Sequence, residues 1–114
     1  MGTYGELPVY KACYDLLLEI FNFTKGFSKE YKYTVGEQLK LETIELLKLI
    51  FRANARTDKR EVLQEARERI EIIRLLIRVM KDLQQINLKL FVHVNQKVEE
   101  VSKQITGWQK SVQT

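Results

Sequence analysis

The pattern that organises the chain runs from Asp58 to Ile86. No Gly or Pro interrupts it, and Val62, Leu63, Ala66, Ile70, Ile73, Ile77 and Met80 fall on one face of a helix. The spacing predicts one long helix over roughly 59–86. Asp58-Lys-Arg-Glu61 opens it as a capping box, with the Asp58 carboxylate accepting from the Glu61 amide. A second apolar stripe, Ile72, Leu75, Val79 and Ile86, lies on the far side. A helix in a small bundle needs only one buried face, so this stripe predicts an interface between copies of the chain. Arg60, Arg67, Arg74 and Lys81 recur every seventh residue beside the core stripe, and Arg78 joins them.

Three further helices follow from the same reasoning. Pro8 suits a first turn, and Val9, Ala12, Cys13, Leu16, Leu17, Ile20, Phe21 and Thr24 keep a 3–4 spacing over 8–25. Gly26 then reads as a left-handed stop. Phe27 to Tyr33 reads as a loop whose Phe27, Tyr31 and Tyr33 plug one end. Thr34-Val-Gly-Glu37 is a second capping box, opening a helix over 34–55 with Leu39, Thr43, Ile44, Leu47, Ile50, Phe51 and Asn54 inward. Asn54 reads as a C-terminal cap. Asn87 breaks the long helix and caps the last, over 88–112. There Phe91, Val94, Val98, Val101, Ile105, Trp108 and Val112 form a seam, and Gly107 weakens the final turns. Met1 to Glu6 reads as a loose or strand-like arm. Short connections make neighbours antiparallel, so the expected fold is all-α: an up-down four-helix bundle, one domain over 1–114.

Composition narrows the function. With 114 residues, 45% apolar and 30% charged, the chain suits one soluble domain. The net charge of +4 lies wholly in the second half: residues 1–55 hold seven basic and seven acidic side chains, residues 56–114 twelve and eight. That surplus permits an anionic partner, RNA or DNA first, and equally a solvated basic surface. The single Cys13 excludes an intrachain disulfide and reads as a buried, inert thiol. No apolar run is long enough to span a membrane, and no signal pattern precedes Pro8, so the cytoplasm is the expected compartment.

The inventory opposes an enzyme. His93 is the only histidine, which excludes a His/Cys zinc site and a ferritin-like di-iron site. No Gly-rich phosphate loop occurs, and no Arg stands shortly before His93 as in some small helical ribonucleases. Glu42 with Glu45, or Glu99 with Glu100, reads as a solvated pair rather than an acid/base site. The chain is expected to have no catalytic residue, metal or cofactor.

The candidate anion site comprises Arg52, Arg56, Lys59, Arg60, Arg67, Arg74, Arg78 and Lys81. Arginine suits phosphate because its planar fork donates two parallel hydrogen bonds. The competing reading is pairing along the helix: Arg67 with Glu71, Arg78 with Asp82, Arg69 with Glu65. Arg74 reaches only Glu71, which Arg67 shares. Aromatics do not alternate with the basic row, so any binding is expected to be electrostatic and weak in sequence preference.

Several stretches resemble a known family. They are Leu7-Pro-Val-Tyr-Lys11, the Phe27–Tyr33 loop, Thr34-Val-Gly-Glu-Gln-Leu39 and Ile50-Phe-Arg-Ala-Asn-Ala55, with Arg69-Ile-Glu-Ile-Ile-Arg-Leu-Leu-Ile-Arg78 and Gly107-Trp108. Together they span nearly the whole chain. The family is that of four-helix-bundle proteins which includes proteins encoded in intervening sequences of bacterial ribosomal RNA genes. Within it, the accessory variability determinants of diversity-generating retroelements are most similar. The resemblance implies a homopentameric barrel with a basic surface. It also implies a non-enzymatic partnership with a reverse transcriptase and its template RNA, with Arg52, Arg56, Arg60, Arg67, Arg74 and Arg78 as phosphate or polymerase contacts. The intervening-sequence branch implies instead a structural or protein-interaction role.

Overall fold

The computed structural model describes residues 7–112, which form an elongated bundle of 45 × 21 × 19 Å. Its helices are α1 (Pro8–Thr24), the one-turn α2 (Lys29–Lys32), α3 (Val35–Ala55), α4 (Arg60–Asp82) and α5 (Leu88–Val112). No strand occurs among the described residues. The four long helices pack in a cycle, α1 on α3, α3 on α4, α4 on α5 and α5 on α1. Arg67 meets Gln109 and Lys81 meets Phe91, so numbering falls along α5 as it rises along α4, and the two run antiparallel.

All seven residues assigned to the inner stripe of α4 are buried. In α3 the inner face is rotated from the expectation. Leu46, Leu49, Ala53 and Glu42 are buried beside Leu39, Thr43 and Ile50, whereas Ile44, Leu47 and Asn54 are half-buried and Phe51 faces solvent. Apolar residues occupy more than one side of this helix, so periodicity alone does not select the stripe. In α1 Phe21 turns outward, and in α5 Gln109 replaces Trp108 and Val112 as the last buried position. Thr24 and Thr43 can be buried because each hydroxyl donates to the carbonyl four residues earlier, Ile20 at 2.7 Å and Leu39 at 2.8 Å.

The helix ends depart most from expectation. Asp58 does not cap Glu61: its carboxylate accepts from the Arg60 amide and from Nε and Nη2 of the Arg60 guanidinium, each at 3.2 Å. The Thr34 hydroxyl donates back to the Glu30 carbonyl at 2.7 Å, because Lys29–Lys32 is a helical turn rather than open loop. Gly26 is not left-handed; α1 ends at Thr24 with tight turns, Gly26 N–H to Phe23 and Phe27 N–H to Thr24. Phe27 plugs the end and Tyr31 packs beside it, but Tyr33 is exposed.

The long helix stops four residues early. Gln84 takes a left-handed conformation, φ 61°, its N–H donating to Lys81 and that of Gln85 to Met80, each at 2.9 Å. These two bonds are a Schellman ending with glutamine where glycine is usual. Ile86 therefore lies in the α4–α5 loop, buried in the chain's own core, and is not part of an outer stripe. Asn87 caps α5 as expected, its side-chain oxygen accepting from the Leu90 amide at 2.8 Å.

Candidate nucleic-acid interface

The structure divides the eight candidate cations by what they touch. Arg74 is the most engaged. Its guanidinium donates to Glu71 on its own helix and to Glu99 on α5 at 2.7 Å. Burial works against its charge, but Glu99 and Glu71 outweigh that and hold its pKa above the usual arginine value. Arg78 pairs with Asp82 at 3.2 Å, as the helical spacing requires. Arg67 leaves Glu71 and donates to Gln109 at 3.1 Å, and Gln109 donates on to Gln64 at 3.1 Å. This relay lets a glutamine be buried near the end of α5. Lys81 lies 5.0 Å from the centre of the Phe91 ring.

Arg69, outside the candidate set, closes the α3–α4 seam. It donates to Glu42 at 2.8 Å rather than to Glu65, and Gln38 donates to the other Glu42 oxygen at 2.9 Å. The hydrogen bond from Arg69 to Glu42 raises the arginine's pKa. The basic row along α4 is thus largely a set of bonds between helices.

The remaining candidates gather at one end of the bundle, where α3 stops and α4 starts. The Lys59 ammonium turns back to the carbonyls of Ala53, at 2.7 Å, and Arg56, so it satisfies the end of α3. The same ammonium stands 5.9 Å from the Trp108 ring, which brings the end of α5 to this corner. Arg60 pairs with Asp58, and its hydrogen bonds hold that carboxyl below the usual range. Arg52 and Arg56 are exposed, and their guanidinium groups form no hydrogen bond or ion pair among the described residues. Lys110, absent from the sequence-based set, is exposed in the last turns of α5, at the same end. Only its place on α5 could have flagged it.

No group of three or more His, Cys, Asp or Glu side chains that could hold a metal ion occurs among the described residues. His93 is exposed with Nε2 2.5 Å from Glu19, whose other oxygen lies 3.7 Å from Lys97, so it links α5 to α1. Cys13 is fully buried, and burial raises its thiol pKa from 9.0 to about 12. No described helix is long and apolar enough to cross a membrane.

These features define an all-helical bundle whose basic side chains along α4 pair mostly within the bundle, with exposed cations gathered at one end. A family model described as bAvd-like matches residues 9–112. The chain belongs to that family, the accessory variability determinants, whose members accompany diversity-generating retroelements. Comparison with curated proteins returns no match.

Proposed function

We propose that the protein is the non-catalytic accessory subunit of a diversity-generating retroelement, holding a reverse transcriptase on its template RNA. Membership of the bAvd-like family over residues 9–112 carries this reading. The phosphate contacts fall to Arg52 and Arg56, with Lys110 at the same end, because these cations are exposed and form no hydrogen bond or ion pair among the described residues. DNA backbone would be held by the same chemistry. Arg67, Arg74 and Arg78 act mainly as ties within the bundle. The homo-oligomeric ring, a pentamer by resemblance, would repeat the cationic end around an axis and multiply a net charge of +4.

Co-purification of the chain with the reverse transcriptase encoded beside it and a transcript of the template repeat tests this reading. A complex of both proteins and the RNA is expected. Neither partner being retained contradicts it. The pairing of Arg60, Arg67, Arg74 and Arg78 within the chain favours one other reading, a structural bundle of the ribosomal intervening-sequence type. That reading expects no RNA retention in any combination.

A further inference from the structure

Two unlike apolar stripes face outward on opposite sides of the bundle. On α1, Tyr14, Leu18 and Phe21 follow one another at helical spacing and are exposed, Leu18 by 53% and Phe21 by 42%. The Lys40 ammonium lies 5.1 Å from the Phe21 ring, so α1 and α3 share this surface. On α4, Ile72 and Val79 are half-buried and Leu75 between them is 62% exposed. Neither stripe is needed for the core, which the opposite faces of both helices already fill. α1 packs on α3 and α5, which places it diagonally across from α4.

The stripes match in length and oppose in charge. Tyr14 to Phe21 and Ile72 to Val79 each cover two helical turns, about 10 Å. Lysines end the first stripe: Lys11 before it and Lys25 after it, both exposed. Acids end the second: Glu68 before it and Asp82 after it, both exposed. Lys11 and Asp82 have partners of their own, Asp15 and Arg78, in exposed pairs that exchange readily with water. Whichever way the two helices run past each other, a lysine meets an acid at both ends. Two α1 stripes, or two α4 stripes, would set like charges together, which disfavours self-pairing of either face.

We infer that the α1 stripe of one copy docks on the α4 stripe of the next. This rests on the self-association in the reading above and specifies it: the contact is head-to-tail, between two different faces. Such a contact leaves one free stripe at each end of a growing assembly, so copies add until a ring closes. The interface draws on Ile72, Leu75 and Val79 from the sequence-based set, adds Tyr14, Leu18 and Phe21, and omits the buried Ile86.

Complementation between two variants tests the pairing. Leu18→Glu disables the first stripe and Leu75→Glu the second; both positions face solvent, and circular dichroism checks that helicity is kept. By light scattering, the wild type is expected to be an oligomer and each variant a single chain. An equal mixture of the two variants is expected to give two-chain complexes, because one intact face of each kind remains. Lys25→Glu, which leaves the apolar surface untouched, should raise the concentration needed for assembly several-fold. A monomeric wild type, a Leu18→Glu or Leu75→Glu variant that keeps the wild-type mass, or a mixture that stays monomeric overturns the inference. RNA retention is read separately. An oligomer that assembles this way without holding RNA removes the retroelement reading and leaves this one intact.

Discussion

Arg74 on α4 and Glu99 on α5 meet at 2.7 Å, although 25 residues separate them in the chain. Glu71 holds the same guanidinium, so the arginine that looks least paired along its own helix has two carboxylates. Its first role is to tie two helices together. Arg74→Ala is expected to lower stability by about 1 kcal/mol, a figure limited by the half-exposed Glu99 partner. The same variant should leave RNA affinity within about twofold of wild type. Urea unfolding and a binding titration on one preparation check both outcomes.

Glu42 is the most buried carboxylate among the described residues, 8% exposed, and accepts from Arg69 and Gln38. Glu42→Ala removes a bond across the α3–α4 seam and leaves Arg69 to solvent. A loss of about 2 kcal/mol is expected. Arg69→Ala should cost less, because its side chain is 36% exposed. A double-mutant cycle should return a coupling of about 1 kcal/mol, and additive losses would mean that the contact contributes nothing.

Three backbone positions separate by what a side chain would meet. A Cβ at Gly107 has no atom within 4 Å, so Gly107→Ala should stabilise α5 by about 1 kcal/mol. A Cβ at Gly36 would stand 3.1 Å from the Tyr31 carbonyl and 3.4 Å from the Phe27 ring, so alanine there should destabilise. Gln84 adopts φ 61°, and Gln84→Gly should stabilise by about 1 kcal/mol by relieving the left-handed strain. Thermal unfolding of the three variants should shift up, down and up.

Cys13 gives a pH dependence whose sign follows from burial. The thiol of the folded chain ionises near 12 rather than 9.0. The folded state therefore keeps a proton that the unfolded state releases. The stability is fully present below pH 9 and is lost as pH rises from there towards 12, at up to about 1.4 kcal/mol per pH unit. Cys13→Ala should flatten the fall between pH 9 and 10.5, within that window. In the native protein a thiol reagent should label Cys13 only as fast as the bundle opens.

How much was legible in the sequence differs between elements. The α4 core stripe was legible because its other side is charged or carries a separate apolar set. The α3 face was not, since Ile44, Leu47 and Phe51 add apolar positions beside the buried ones. The end of α4 was hidden because Gln84 stands where a glycine would have signalled it. Along the sequence the cations form one row, because helical spacing reveals only partners within four residues. The partners of Arg69, Arg74 and Arg67 lie 27, 25 and 42 residues away, on other helices. Only the packed bundle separates the committed arginines from Arg52 and Arg56.

The most direct test is a salt titration of binding to a labelled template-repeat RNA, comparing wild type, Arg52→Glu/Arg56→Glu and Arg74→Ala. The wild type is expected to bind with a steep salt dependence, and Arg74→Ala to follow it. The double variant should lose at least tenfold in affinity, with a shallower slope by about two phosphate contacts. Equal binding by wild type and the double variant, or loss of binding only in Arg74→Ala, would contradict the assignment of the cationic end.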